Sequence, residues 1–160
     1  MHKYWLWTNR MKWVGKSHSG CTLCKIAKGE SISKVLFKNK NIIVIMNIFP
    51  YNTGHLQVMP IRHVSTLDEL SDDEIFELFR MVKRCVRLIS KVLKPEGFNI
   101  GMNIGEFSGA SIADHLHIHI VPRYKTDFGF MEILAETKVM PEKLEETYKR
   151  LMKHAKILSE

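Results

Sequence analysis

One segment in the second half of the chain alternates strictly between histidines and apolar side chains. Histidines stand at positions 115, 117 and 119, and leucine or isoleucine stands at 116, 118 and 120. A period of two is typical of a β-strand with one face in the core. The segment His115–Val121 therefore predicts a strand that presents three imidazoles from one face. Packing gives no reason for imidazole at three successive positions, whereas nucleophilic chemistry or a metal centre does.

Four other segments have the composition of strands. Residues 33–39, 41–49 and 55–60 are rich in β-branched or apolar side chains, and the Pro, Asn and Gly within 49–54 predict a turn before the last of them. We expect these three strands to form an antiparallel meander. Residues 98–104 alternate between large apolar side chains and Asn or Gly, which predicts a half-buried strand.

Two amphipathic helices are predicted around this sheet. Ser71 and Glu74 have the spacing of a capping box, and apolar residues follow at helical spacing until Pro95 and Gly97 end the pattern. A second helix is expected from Pro141 onward. The chain has 160 residues, which suits one compact unit. We therefore predict an α+β fold in which a five-stranded antiparallel sheet is flanked by two main helices.

The composition excludes several classes of protein. With 45% hydrophobic and 26% charged residues, the chain is neither disordered nor collagen-like. Three cysteines are too few for a disulfide framework, which favours a reducing compartment. The sequence shows neither a secretory leader nor the continuous apolar run of about 18 to 20 residues that a membrane span needs. We therefore expect a cytoplasmic protein without a membrane segment.

The net charge of +7 is concentrated at the N-terminus. Residues 1–20 carry four basic residues, no acidic residue and all three tryptophans. This basic, tryptophan-rich arm leaves open a zinc module that binds nucleic acid. For the arm we favour a docking strand or a dimer contact over a nucleic acid partner.

The segment Cys21-Thr-Leu-Cys24 is a second candidate for chemistry. A C-x-x-C segment can be a redox pair or half of a zinc site. A redox pair of the thioredoxin kind would follow a strand and open a helix, whereas here a basic arm precedes the first cysteine, so we favour zinc. A closed tetrahedral site then needs two more ligands. The candidates are histidines: His55, His63, His115 and His119.

Two glycine-bearing segments are candidates for anion binding. Gly54-His55 follows the predicted turn, and the loop at 105–111 offers backbone N–H groups and hydroxyls for an anion-binding concavity. Arg123 can add a charge-assisted hydrogen bond to a phosphate. A solvated surface arginine is the alternative interpretation of that residue.

Several motifs stand in a fixed order along the chain. They are Asn47, Gly54-His55, Pro60-x-x-His63, Gly101-Met-Asn103-x-Gly105, Gly109-Ala-Ser111 and His115-Leu-His-Ile-His-Ile-Val-Pro-Arg123. On these motifs the chain resembles the histidine-triad family of nucleotidyl hydrolases and transferases. The resemblance divides the chain into the arm at 1–20, a histidine-triad domain at 21–128 and a C-terminal extension at 129–160 whose helix packs on the domain. The arm, the C-x-x-C segment and the tail after Lys138 resemble the branch of diadenosine tetraphosphate phosphorylases or hydrolases.

The resemblance implies an enzyme that cleaves dinucleoside polyphosphates, such as diadenosine tetraphosphate, at the α-phosphate. His117 would be the nucleophile that becomes nucleotidylated, and an AMP-like product would follow. The triad would be completed by His115 and His119. The phosphate would be held by a set of polar side chains and a loop: His55, Asn103, Gly109, Ser111 and His119. Asn47 would contact the ribose, and the base pocket would be apolar: Ile26, Val44, Ile45 and Ile48.

The resemblance also implies a metal, a partner and a choice of acceptor. Structural Zn²⁺ would be held by Cys21, Cys24, His63 and His115, with no organic cofactor. The protein would be a homodimer with one continuous sheet across its two subunits. A histidine at the third position of the triad, His119, favours water as the acceptor of the nucleotidyl group. The flanking segments instead favour inorganic phosphate, so both acceptors stay open. An adenosine phosphoramidase of the same family is the alternative activity.

Overall fold

The computed structural model describes residues 20–109, 112–127, 129–135 and 137–160. Its strands are β1 (Lys34–Lys38), β2 (Ile42–Met46), β3 (Leu56–Pro60), β4 (Gly97–Met102) and β5 (Ile118–Arg123). Its helices are α1 (Thr22–Lys28), α2 (Asp72–Leu93), α3 (Phe130–Ala135) and α4 (Leu144–Met152). Short 3-10 turns lie at Glu106–Ser108, Lys125–Asp127 and Ala155–Leu158. None of the helices in these ranges combines the length and apolar content that a membrane crossing requires.

All five strands form one antiparallel sheet in the order β1-β2-β3-β5-β4. The first three form the expected meander, and β5 lies between β3 and β4. The prediction of an α+β fold with a five-stranded antiparallel sheet is confirmed. The two predicted main helices are present as α2 and α4, whereas α1 and α3 were not predicted.

Helix α2 covers one face of the sheet. It begins at the predicted capping box, in which the Ser71 hydroxyl accepts from the Glu74 N–H and the Glu74 carboxylate accepts from the Ser71 N–H. Its apolar side joins a core that includes Leu78, Cys85 and Ile89. Phe79, which follows Leu78 in the chain, lies outside this core and is 48% exposed.

The pleat of β2 shows how the sheet separates two layers. Ile42, Val44 and Met46 face the α2 core, whereas Ile43 and Ile45 face a second cluster formed with α1. In β5 the buried Ile118 and Ile120 also face α2. The side chains that alternate with these isoleucines therefore lie on the α1 face, which is the face that carries the histidines.

The strand that the histidines predict begins later than expected. The sheet ladder of β5 starts at Ile118, so His115 and His117 precede it. The backbone N–H of Leu116 donates instead to the oxygen of Val64, at 2.7 Å. Leu116 is nevertheless buried with Ile118 and Ile120, so the alternation extends through the segment.

Candidate active site and metal centre

Three histidines, His55, His119 and His117, lie in a row on the α1 face of the sheet. His119 stands opposite Gln57 of β3 and Gly101 of β4, and His55 immediately precedes β3. The Nε2 atom of His55 lies 2.9 Å from Nδ1 of His119. The ring of His117 meets that of His119 edge-on, with 4.6 Å between centroids. The predicted grouping of these three side chains is therefore present.

The hydrogen bonds of His55 define the tautomers in this row. The backbone N–H of Tyr51 can only donate, and it lies 3.1 Å from Nδ1 of His55. Nδ1 of His55 is thus an acceptor, and the proton of the neutral ring is on Nε2, which donates to Nδ1 of His119. In neutral His119 the proton is then on Nε2, where it is available to a phosphate oxygen.

His117 is oriented by the backbone that precedes it. Its Nδ1 lies 2.8 Å from the backbone oxygen of His115, and because a carbonyl only accepts, Nδ1 carries the proton. The lone pair of the neutral ring is therefore on Nε2. Burial lowers the pKa of His117, which favours the unprotonated ring. The result is an imidazole with a free Nε2 lone pair at neutral pH, which is what a nitrogen nucleophile requires.

The other two rings of the row are also neutral at pH 7. Burial lowers the pKa of His55 to about 3, with further contributions from the nearby His119 and His117. Burial and His117 lower the pKa of His119 to about 4. His119 therefore presents a neutral Nε2–H, whereas the single N–H of neutral His55 already donates to His119, so the predicted direct contact of His55 with a phosphate does not fit this arrangement.

A second cluster lies next to this row, at the start of α1. Cys21 is the N-cap of α1, and its Sγ accepts from the N–H of Cys24 at 3.4 Å. The redox interpretation required both a preceding strand and a helix that opens at the first cysteine. The helix is present, whereas residues 1–19, which precede the cysteine, lie outside the described part of the chain. The arrangement of nearby histidines provides a better criterion.

Two histidines complete a possible four-ligand metal site. The Sγ atom of Cys24 lies 3.3 Å from Nδ1 of His63 and 3.4 Å from Nδ1 of His115, and Sγ of Cys21 lies 3.3 Å from the same Nδ1 of His115. All four ligand atoms lie within 4.8 Å of one another. In tetrahedral zinc the sulfur and nitrogen ligands stand about 3.6 Å apart, as follows from the usual bond lengths. The residues present therefore fit zinc.

The tautomer of His115 agrees with a role as ligand. Its Nε2 lies 2.9 Å from the backbone oxygen of Pro60, so Nε2 carries the proton and the Nδ1 lone pair faces the two sulfurs. Burial raises the pKa of Cys21 to about 11, so a thiolate at this position needs a cation beside it.

Of the predicted phosphate and ribose residues, Asn47 contacts the row of histidines, whereas Asn103 and Gly109 lie in the segment that follows β4. The Nδ2 atom of Asn47 lies 3.3 Å from Nδ1 of His55, and Oδ1 of Asn47 accepts from the N–H of Phe49. Asn103 donates to the backbone oxygen of Ser108 at 3.0 Å and so fixes the loop before Gly109. Gly109 has a φ of +83° and ends the 3-10 turn. Ser111 lies outside the described residues, as does the arm at residues 1–19.

One member of the predicted base pocket is wrong. Val44 is buried in the core beneath α2, on the opposite face of the sheet from the histidines. Ile26 and Ile45 belong to the cluster on the histidine face, and Ile112, which was not predicted, packs against the same cluster. Ile48 is 42% exposed, after the end of β2.

Three residues of this region were missed. The Tyr51 ring stacks on His55 with 4.9 Å between centroids. Asn52, in the loop between β2 and β3, forms a buried hydrogen bond with Asp127, in the 3-10 turn after β5. Arg123 donates through Nε to Asp127 at 2.6 Å and through a terminal nitrogen to Asn99 at 2.8 Å. The Pro-Tyr-Asn segment was interpreted only as a turn, because the partners of Asn52 lie 70 and 75 positions further along the chain.

Known proteins resemble the chain in sequence and in fold. Residues 28–126 match the HIT domain. The AP-4-A phosphorylase of Mycobacterium tuberculosis is 42% identical over 117 residues, which cover 73% of this chain and 60% of that protein. The bis(5'-nucleosyl)-tetraphosphatase of Schizosaccharomyces pombe is 35% identical over 97 residues, which cover 61% of this chain and 53% of that protein. The chain thus spans less than two thirds of the length of these two relatives.

The fold comparison agrees with the sequence comparison. The crystal structure of a zinc-bound histidine triad family protein from Mycobacterium smegmatis matches with a TM-score of 0.72 and 25% identity, over 88% of this chain and 96% of the other. The family match includes His55, His63 and all three triad histidines. The chain belongs to the HIT domain family.

Proposed function

We propose that this protein cleaves dinucleoside polyphosphates of the diadenosine tetraphosphate type at the α-phosphate, through a nucleotidyl-histidine intermediate on His117. The observation that carries the proposal is the hydrogen bond from Nδ1 of His117 to the backbone oxygen of His115, which leaves the lone pair on Nε2. The names of the two sequence relatives support the substrate class, because both refer to dinucleoside tetraphosphates.

The first step is a displacement at phosphorus. Nε2 of His117 forms a bond to the α-phosphorus, and the bond from that phosphorus to the bridging oxygen breaks, so that ATP leaves from diadenosine tetraphosphate. The ring of His117 then carries a positive charge, because both nitrogens are substituted. Its Nδ1–H bond to the His115 oxygen becomes charge-assisted, which stabilises the intermediate.

The neighbouring imidazoles bind the phosphate. In the tautomers set by Tyr51, His119 offers Nε2–H to a phosphate oxygen, and His55 supports His119 from behind. Such donors, fixed before substrate binds, stabilise charge that develops in the transition state. Asn47, Asn103, Gly109 and Ser111 remain proposed contacts of the ribose and phosphates. Of the proposed base pocket, Ile26, Ile45 and Ile48 remain.

Zinc is proposed as a structural component. Cys21, Cys24, His63 and His115 would hold it, and when bound it would fix the start of α1 against the segment that leads into β5. The chemistry proposed for His117 needs no metal in the reaction itself.

A homodimer through β4 is also proposed. In the described part of the chain β4 pairs only with β5, so its outer edge is open to another strand. Ile100, Ile104 and Phe107 are exposed on or just after this strand, and 98% of Phe107 is accessible. Pairing of β4 with its copy would join the two sheets and cover these side chains.

Product analysis tests the activity. The protein is incubated with diadenosine tetraphosphate, with and without inorganic phosphate, and the nucleotides are separated by chromatography. AMP and ATP without phosphate indicate that water resolves the intermediate, and ADP and ATP formed only with phosphate indicate phosphorolysis. Release of AMP from an adenosine phosphoramidate, without cleavage of the dinucleotide, would instead support the alternative activity. No cleavage of either compound would contradict the proposal.

A further inference from the structure

The loop between β2 and β3 determines the position of His55. His55 is fully buried, and its backbone N–H donates to the oxygen of Asn52 at 3.1 Å. Its Nδ1 accepts from the N–H of Tyr51, and its oxygen accepts from the N–H of Asn47. The orientation of the His55 ring therefore depends on the path of residues 51–55.

Asn52 anchors this loop to a distant part of the chain. Only 3% of Asn52 is exposed. Its Nδ2 donates to the oxygen of Pro122 at 2.9 Å and to Oδ1 of Asp127 at 2.6 Å, while its Oδ1 accepts from the N–H of Thr53 at 3.1 Å. Both protons of the amide are used, so loss of either acceptor would leave a buried donor without a partner.

Asp127 is in turn fixed to the end of β5. Its Oδ2 accepts from Nε of Arg123 at 2.6 Å and from the N–H of Tyr124 at 3.2 Å. The hydroxyl of Tyr124 donates to the oxygen of Thr53 at 3.1 Å. The end of β5, the strand of His119, thus holds the loop between β2 and β3 that leads to His55.

We propose that Asp127 is a positioning residue, which acts through Asn52 to keep Nε2 of His55 on Nδ1 of His119. The Asp127 carboxylate holds the Asn52 amide, the amide holds the loop at residues 51–55, and this loop orients the His55 ring. The effect on turnover rests on the proposed function, whereas the effect on the hydrogen bond between the two histidines does not.

The direct test observes the imidazole protons by NMR. In protein with ¹⁵N-labelled histidine, the Nε2–H of His55 should give a resonance protected from exchange, and the Nδ1–H of His117 serves as an internal reference. The His55 resonance is assigned by its absence in His55→Gln. In Asp127→Ala we expect it to be lost or shifted, while the His117 resonance stays. Asp127→Asn keeps one oxygen for Asn52 but turns an NH2 group toward the donors of Arg123 and Tyr124, so its His55 resonance should shift less than that of Asp127→Ala.

Lys138→Met is the matched control. The ammonium of Lys138 lies 3.8 Å from Oδ1 of Asp127. The variant therefore removes a cation next to this carboxylate but leaves the carboxylate as the acceptor for Asn52. Its His55 resonance should match that of the unaltered protein. If Asp127→Ala does not fold, Asn52→Ser removes the amide that reaches Asp127 and should cause the same loss. An unchanged His55 resonance in folded Asp127→Ala or Asn52→Ser would overturn the proposal.

Turnover provides a second readout. In Asp127→Ala we expect kcat for diadenosine tetraphosphate to fall about 10- to 100-fold with a smaller change in KM, because misplaced phosphate donors weaken the transition state most. A loss of stability alone would reduce the active fraction without changing the NMR signature. If the protein proves inactive on this substrate, the NMR comparison still decides the role of Asp127.

Discussion

Nδ1 of His117 lies 2.8 Å from the backbone oxygen of His115, whose own ring faces the sulfur atoms of two cysteines. One residue therefore belongs both to the candidate metal centre and to the support of the candidate nucleophile. Displacement of His115 would move the oxygen that sets the tautomer of His117. In the proposed mechanism, a metal ion at this centre would in this way influence catalysis while remaining outside the reaction.

We predict about one zinc ion per chain in protein purified without chelators. Cys24→Ser should lose the zinc and lower the melting temperature by at least about 5 °C, since a structural zinc contributes directly to folding. Elemental analysis and thermal unfolding measure the two effects.

Cys85→Ala is the control for the zinc prediction. Cys85 is a buried residue of α2 that faces the core between this helix and the sheet, whereas Cys24 is half-buried and belongs to the cluster of cysteines and histidines. Cys85→Ala should lose some stability and keep its zinc. Zinc-free protein after gentle purification, or equal zinc content in Cys24→Ser, would contradict the assignment.

We predict that buried His55 makes the fold sensitive to acid. Its pKa is about 3 in the folded protein, against about 6.5 in an unfolded chain. Below about pH 6.5 the unfolded chain therefore binds a proton that the folded protein excludes, so the free energy of unfolding falls as the pH falls from about 6.5 toward 3.

The variant His55→Gln should reduce this dependence by up to about 1.4 kcal/mol per pH unit. Urea unfolding at pH 7.5, 6.5 and 5.5 measures the slope for both proteins, and zinc content is checked at each pH. Equal slopes for the two proteins would show that His55 is not held neutral.

Gly54→Ala should impair both stability and turnover. Gly54 has a φ of +85°, and a Cβ at this position would stand 2.4 Å from Cδ1 of Leu93. We expect a loss of about 1 to 3 kcal/mol in the free energy of unfolding and a fall in kcat, because His55 follows directly in the chain.

Gly29→Ala is a matched control for this change. Gly29 has a φ of +79°, and nothing lies within 4 Å of its would-be Cβ. It therefore incurs the backbone strain without the contact. If denaturant unfolding gives equal losses for Gly54→Ala and Gly29→Ala, the close approach to Leu93 has no role.

The sequence predicted best those features that depend on local pattern. Alternation identified the histidine face, and the capping box at Ser71 identified the start of α2. Helix α1 was missed because its seven residues are too few to show a helical period. Val44 was placed wrongly because all five residues of β2 are apolar, so the sequence does not reveal which of them face the histidines.

The network behind His55 depends on tertiary contacts. Asn52 and Asp127 are 75 positions apart, and each is unremarkable as a turn residue. Their pairing follows from the position of β5 beside β3, which brings the end of one strand against the start of the other. No local pattern carries that information.

His117→Ala should leave folding and zinc content intact and abolish nearly all turnover. Loss of a covalent nucleophile should exceed the factor of about 10² to 10⁴ that is expected for a lost acid or base group. His154→Ala, which removes a histidine far along the chain in the tail after α4, should keep full activity. Activity of His117→Ala near that of the unaltered protein would contradict the assignment.

The stereochemical course at phosphorus tests the covalent mechanism most directly. Diadenosine tetraphosphate with a chiral α-thiophosphate is cleaved in the presence of phosphate, or in ¹⁸O-water if hydrolysis is found, and the configuration of the thionucleotide is determined by ³¹P NMR. Two successive displacements, first by His117 and then by the acceptor, predict net retention of configuration. Net inversion would show a single direct displacement and contradict the nucleotidyl-histidine intermediate.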